Sequence, residues 1–179
     1  NEALKYSGPA LVQIHAPSPE RHGFAMSDTL LQAQRAVDAR ANPLFSANPL
    51  ADGLFGSRIS LEGNGSIEES WLATEEDGGD LTRWSAWALN ESRFSHWFRS
   101  VTDDDPAAVT LADYLELDET ARTKKCATVE ADGETYFVEP EMVAVADQCH
   151  KRWCTLQELA GIVTPFTANV RAKAETDIA

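Results

Sequence analysis

Cys126, Cys149, His150 and Cys154 are the residues whose types first suggest chemistry, because thiolates and imidazoles are the usual ligands of zinc. Their spacing argues against it. Cys149 and Cys154 stand five apart within a helical pattern, which turns the two side chains about 140° away from each other around the axis. Cys149 also falls on an apolar stripe with Trp153, the place of an inert, buried thiol. Cys126 pairs with either helical cysteine only if its strand packs there, and the sequence leaves that open. Three cysteines leave at least one unpaired in a monomer. No metal ligand set is expected.

A second group lies in one loop. His15 and His22 flank Ala16-Pro17-Ser18-Pro19-Glu20-Arg21, after a short apolar strand expected at Ala10 to Ile14. Loops at the carboxyl end of a parallel strand are where α/β proteins place ligand contacts. His15, Ser18, Glu20, Arg21 and His22 would offer polar groups to a substrate, a cofactor or a neighbouring domain. The plainer alternative is a structural turn held by two prolines. A triad of Ser18, His22 and an aspartate lacks nucleophile-elbow spacing, so no catalytic residue is assigned. Asp103-Asp104-Asp105-Pro106 lacks the alternating ligands of a calcium loop and reads as a solvated, helix-capping turn. Trp84, Trp87 and Trp97 would suit a stacking platform, but the acidic surroundings speak against nucleic acid. A core stripe or a surface that docks on another part of the protein remains.

The elements that must position these residues follow from periodicity. Asp28, or the competing Ser27, caps a helix from about Thr29 to Arg40, whose stripe Leu30-Ala33-Val37 is expected inside, with Gln32, Arg35 and Asp38 in water. Asn42-Pro43 ends it. Leu44 to Pro49 reads as a short extended edge segment. Glycines punctuate Leu50 to Asp80, where only Ser57 to Leu61 alternates as a strand; Leu54, Phe55, Ile59 and Trp71 are its expected apolar pegs. Glu75 to Asp80 reads as a solvated turn or loop. Asp80 then caps an aromatic helical region, with Leu81, Trp84, Ala88 and Trp87 on one side, followed by Phe94, Trp97, Phe98 and Val101.

Thr110 caps a short helix over Leu111 to Leu117. Cys126 to Val129 and Thr135 to Val138, joined around Asp132-Gly133, give the strongest hairpin signal. Pro140 opens a long helix in which Met142, Val145, Cys149, Trp153, Leu156 and Ala160 recur at three or four residues. A last helix is expected from Phe166 to about Thr176. No run of parallel strands is legible after residue 50.

The 179 residues are 43% hydrophobic, enough for a core, and their 29 acidic against 15 basic side chains give a formal charge of -14. That field disfavours duplex nucleic acid and anionic membrane surfaces. No window approaches a transmembrane span, and the opening residues carry no signal-peptide pattern. The expectation is a cytoplasmic protein without nucleic-acid or membrane partners.

The opening, Glu2-Ala3-Leu4-Lys5-Tyr6-Ser7-Gly8-Pro9-Ala10-Leu11-Val12-Gln13-Ile14-His15-Ala16-Pro17-Ser18-Pro19-Glu20-Arg21-His22-Gly23, resembles the end of the thiamine-diphosphate-binding domain of pyruvate:ferredoxin (or flavodoxin) oxidoreductases and related 2-oxoacid oxidoreductases. Gln32-Ala33-Gln34-Arg35-Ala36-Val37-Asp38, then Asn42-Pro43-Leu44-Phe45 and Asn48-Pro49, are similar to the family in order and spacing. Where the family loop commonly carries a cysteine, this chain has Ser18. Beyond residue 50 the likeness becomes diffuse.

The resemblance implies a mixed, helix-rich α/β chain: residues 1–50 as the C-terminal edge of a cofactor-binding domain, and 51–179 as a wrapping extension with aromatic helices, a hairpin near 126–138 and a long helix near 140–160. On this expectation the chain is the C-terminal piece of a larger enzyme and silent by itself. The whole enzyme would use thiamine diphosphate, magnesium and iron–sulfur clusters, none held by this chain, to oxidise a 2-oxoacid. Its partners would be the remainder of the same oxidoreductase or its other subunits, ferredoxin or flavodoxin as acceptor, and further copies in a homo-oligomer. The alternative is a non-catalytic acidic interaction or assembly domain that docks through Trp84, Trp87 and Trp97.

Overall fold

A computed structural model describes residues 3, 5, 7–72, 80–102, 105–131 and 133–162. The fold mixes helix and sheet. In chain order the elements are α1 (Pro19–His22), α2 (Thr29–Asp38), β1 (Ser46–Ala47), β2 (Ile59–Ser60), α3 (Asp80–Leu89), β3 (Phe98–Ser100), β4 (Ala107–Thr110), α4 (Leu111–Glu116), α5 (Glu119–Arg122), β5 (Lys125–Ala131), β6 (Glu134–Val138) and α6 (Pro140–Leu159). The main sheet has the order β3-β6-β5-β4, and β1 pairs with β2 in a separate two-stranded ribbon.

The C-terminal half forms where its local signals place it. β5 and β6 pair antiparallel with Thr128 opposite Phe137, and Gly133 takes a left-handed φ of 79° in the turn. Pro140 occupies the first turn of the twenty-residue α6, where its missing N–H costs nothing. Thr110 caps α4 by accepting from the Asp113 N–H at 3.1 Å, while its hydroxyl donates to the Asp113 carboxylate at 2.8 Å. The sequence pattern did not mark β3 and β4. β4 runs parallel to β5, and the intervening chain carries α4 and α5, the crossover that a parallel pair requires.

The core lies between the inner face of this sheet and α3, α4 and α6. Trp84 and Trp71 meet edge-on at 6.3 Å, Trp84 also packs with Phe98 at 6.5 Å, and Trp87 packs edge-on to Phe94 at 5.5 Å. Trp71, Trp84 and Trp153 are fully buried. Phe98 reaches this core from a strand and not from the aromatic helix expected there, because α3 ends at Leu89 and a 3₁₀ turn over Ser92–Trp97 leads into β3. On α6 the buried set is Met142, Val143, Ala146, Cys149, Trp153 and Gln157. Val145 and Leu156 are only half-buried, so the inward face is rotated slightly from the expected stripe.

The N-terminal third departs further. Ala10 to Ile14 is not a strand; it pairs with no other segment among the described residues, and Leu11, Val12 and Ile14 are exposed. On α2 the inward face is rotated from the expected one, with Ala33, Val37, Arg35 and Asp38 all half-buried. Gln32 and Ala36 are buried, whereas Leu30 is 86% exposed. The side of α2 that meets α3 is the one with small residues and a hydrogen-bonding amide, and these permit a close approach that the leucines would hinder. Two residues along a helix correspond to about 200°, so burying Gln32 turns Leu30 outward.

Residues 48–72 form an irregular wrap, as their glycines suggest. Of its expected pegs, Trp71 is buried and Ile59 half-buried, while Leu54 and Phe55 face water. Polar side chains hold this wrap. Buried Asn64 donates to the carbonyls of Leu44 and Leu61, both at 2.6 Å, and accepts from the Leu44 N–H at 2.7 Å. Gln157 of α6 donates to the carbonyls of Ile67 and Glu69 at 2.8 and 3.1 Å. Gly56 lies against the backbone of Ala160 and Gly161, where a Cβ would stand 3.0 Å from main-chain atoms. The expected loop at Glu75 to Gly79, Asp103, Asp104, Asp132 and the last helix from Phe166 to Thr176 lie outside the described residues, as do the side chains of Asp80 and Leu81.

Candidate functional site

The loop after Ile14 is built around α1. Ser18 is its N-cap, accepting from the Arg21 N–H at 3.4 Å, and Pro19 follows at the first helical position. Gly23 closes the turn at φ 75°, with its N–H on the Pro19 carbonyl at 2.8 Å. Only glycine fits there: an added Cβ would lie 1.8 Å from the Ser92 hydroxyl oxygen. The Gly23 carbonyl accepts from the Ser92 N–H at 3.1 Å, which pins the loop beside Glu91.

Glu91 is the centre of the arrangement and is 1% exposed. Its Oε1 accepts from Gln32 Nε2 at 3.0 Å, and its Oε2 from Arg93 Nε at 2.6 Å. Gln32 Nε2 also donates to the Trp87 carbonyl at 3.0 Å, and Asn90 Nδ2 donates to Gln32 Oε1 at 2.8 Å. His22 Nδ1 stands 3.5 Å from Glu91 Oε1, too long for a hydrogen bond, and has no other partner among the described residues. His15 lies near the same charges. Partial loss of water and the adjoining His22 and Arg93 push its pKa below the ordinary histidine value, and Glu91 opposes them. Beside this network a polar cleft of about 470 Å³ opens between α2, α3 and the β5–β6 turn, lined in part by Arg35, Asn90 and Glu130.

Of the five loop residues expected to meet a ligand or domain, the fold sets His22 beside the buried Glu91 carboxylate, while His15 is exposed near the same charges. Ser18 is occupied as a helix cap, and Glu20 and Arg21 point to water. Glu91 already answers Arg93 and Gln32. The corner thus works as a clamp that fastens α1 and α2 to the end of α3, not as a nucleophile with a base. Periodicity gave no warning of Gln32, Glu91 and Arg93, because a buried polar group is specified by its partners, and these are 59 residues apart for Gln32 and Glu91.

Outside the clamp lies apolar surface. Of the thirteen large apolar side chains exposed among the described residues, the eleven from Leu11 to Phe55 belong to the N-terminal third, and only Val101 and Leu159 lie elsewhere. Leu11 is 93% exposed, Met26 82% and Leu54 86%. Concentrated exposed apolar side chains mark surfaces that meet other protein. The tryptophans do not provide such a surface. Trp84 and Trp87 are buried and Trp97 half-buried, stacked on Phe94 at 5.7 Å, so of the two readings the core stripe holds and docking through an exposed Trp84-Trp87-Trp97 surface does not.

The thiols are dispersed. Cys126 donates to the Pro106 carbonyl at 3.1 Å, Cys149 is buried in the core, Cys154 is half-buried, and all three are free. Burial raises the pKa of each. Among the described residues no three His, Cys, Asp or Glu side chains are grouped to hold a metal ion. No described helix is long and apolar enough to cross a membrane. No protein-family model, curated protein or solved structure matches the chain.

Proposed function

We propose that the chain is the C-terminal part of a thiamine-diphosphate-dependent 2-oxoacid oxidoreductase and acts there as a structural, docking element. One observation supports this above the rest: aliphatic side chains from Leu11 to Phe55 stand in water while the same segment buries Gln32 against Glu91. Such a segment is folded on one side and lacks a partner on the other. In this reading residues 1–50 complete the edge of the cofactor domain, with Leu11, Val12 and Ile14 entering its sheet. His15, His22, Glu20 and Arg21 form the polar rim of the contact. The parent's cofactors, held elsewhere, supply 2-oxoacid decarboxylation and electron transfer to ferredoxin or flavodoxin. Burial of apolar area at about 25 cal/mol per Å² favours the docking.

Co-expression with the upstream cofactor domain of the same enzyme tests the reading. A stable complex and restored 2-oxoacid-dependent reduction of ferredoxin or flavodoxin are expected. Leu11→Asp with Leu30→Asp should abolish the complex without shifting the melting temperature of the chain alone. Intact-mass analysis of the native protein showing translation from Asn1, with no upstream cofactor domain, would remove the proposal.

A further inference from the structure

In a chain with 15 basic and 29 acidic residues, one cleft is lined by cations. It has a volume of about 290 Å³ and opens where β5 begins and α6 starts. Its floor is apolar, since Ala127, Val138 and Val143 are buried there. Tyr114 of α4 and Pro140 of α6 line its sides.

Asp105 is the one carboxylate among the described lining residues, and Arg99 neutralises it. Arg99 Nη1 donates to Oδ2 at 2.8 Å and Nη2 to Oδ1 at 2.5 Å, while Arg99 Nε reaches Glu139 at 3.1 Å. The guanidinium also covers the Phe137 ring at 3.9 Å. Arg99 therefore closes one end of the cleft without offering free charge.

Arg122 and Lys125 differ from Arg99 in this respect. Arg122 donates from Nε to the Tyr114 carbonyl at 3.2 Å and from Nη2 to the Leu115 carbonyl at 2.7 Å. These carbonyls at the end of α4 fix the guanidinium in place without neutralising it, and Nη1 has no partner among the described residues. The Lys125 ammonium makes no ion pair or hydrogen bond among them either. Two unneutralised cations above a buried apolar floor are the makings of a site for a small anion with a hydrocarbon body.

We infer that this cleft binds a small organic carboxylate, with its carboxylate at Arg122 and Lys125 and its hydrocarbon part against Val138 and Val143. A carboxylate has two oxygens to satisfy, which a guanidinium edge and an ammonium can do; a phosphate would turn a further oxygen onto apolar side chains. The volume suits a short-chain or single-ring acid. This inference is independent of the docking role.

Titration of the full chain with butyrate and with benzoate, followed by NMR shifts of Tyr114 and Val143, tests it. Butylamine and inorganic phosphate serve as controls. Saturable one-to-one binding of both acids is expected, weakened about tenfold by Lys125→Gln and by Arg122→Gln, the effect of losing about 1.4 kcal/mol of charge-assisted hydrogen bonding. Butylamine should not bind, and phosphate should bind more weakly than butyrate. Arg122 also caps α4, so Lys125→Gln, which removes no hydrogen bond of the fold, keeps the test decisive if Arg122→Gln does not fold. The inference is overturned by absence of saturable binding, by unchanged affinity in Lys125→Gln, or by phosphate binding as tightly as butyrate.

Discussion

Helices α2 and α6 both carry an apolar repeat, and the fold uses the two in opposite ways. α6 lays Met142, Cys149 and Trp153 into the core, so its pattern and its burial agree. α2 turns Gln32 and Ala36 inward and leaves Leu30 in water. An apolar stripe shows which side of a helix gains by leaving water; it does not say whether the element that covers it belongs to the same folded unit. For α6 the covering elements include α4 and the 3₁₀ turns over Phe55–Arg58 and Ser92–Trp97. For α2, the side facing α3 has an acceptor at the Trp87 carbonyl and a carboxylate at Glu91, and the amide that satisfies them decides the rotation.

The comparison is sharpest at Trp153. Trp153→Ala removes a fully buried indole that also lies 4.5 Å from the Arg40 guanidinium, and should cost about 3–5 kcal/mol in urea unfolding. Lys151→Ala on the exposed side of the same helix loses only an i,i+4 pair with Asp147 and should cost under about 0.5 kcal/mol. Equal small losses at both positions would break the account of α6.

Gln32→Ala is the corresponding test of α2. It strips Glu91 and the Trp87 carbonyl of a donor in a buried site and should cost about 1–3 kcal/mol. If Gln32→Ala is neutral, the polar clamp is not what holds α2.

A smaller, pH-dependent effect distinguishes the C-terminal core. His150 stacks on Trp71 at 5.7 Å, and burial lowers its pKa from the ordinary 6.5. The folded state therefore resists protonation more than the unfolded chain does. The stability this gives is present above pH 6.5 and is lost as the pH falls from there through the lower folded pKa. His150→Gln should flatten that part of the stability–pH curve, and an unchanged slope would assign the acid sensitivity to other groups. The smallest change is expected at Leu30, where Leu30→Ala should leave stability within about 0.5 kcal/mol in chemical denaturation of the isolated chain. A loss of 2 kcal/mol or more would mean that the leucine is covered.

Much of residues 107–160 was legible because its determinants are local. The Thr110 cap needs a residue three positions on, the hairpin needs Gly133 between two alternating runs, and α6 needs Pro140 and a regular apolar repeat. β3 and β4 were not legible, since each is short and acquires strand identity only by pairing with β6 or β5. The candidate site divides in the same way. The Pro-Ser-Pro turn before His22 and Gly23 could be read from spacing, whereas Glu91, on which the loop rests, could not.

What the sequence determined by itself, then, is where α2, α4 and α6 begin and where the β5–β6 turn falls, because caps, prolines, glycines and periodicity act within a few residues. The tertiary structure alone decided which faces those elements bury. Gln32 is inside because Trp87 and Glu91 come to it from more than fifty residues away, and Leu30 is outside for the same reason. Burial is a property of pairs of surfaces, and a hydrogen bond left unmade in the interior costs as much as a leucine left in water.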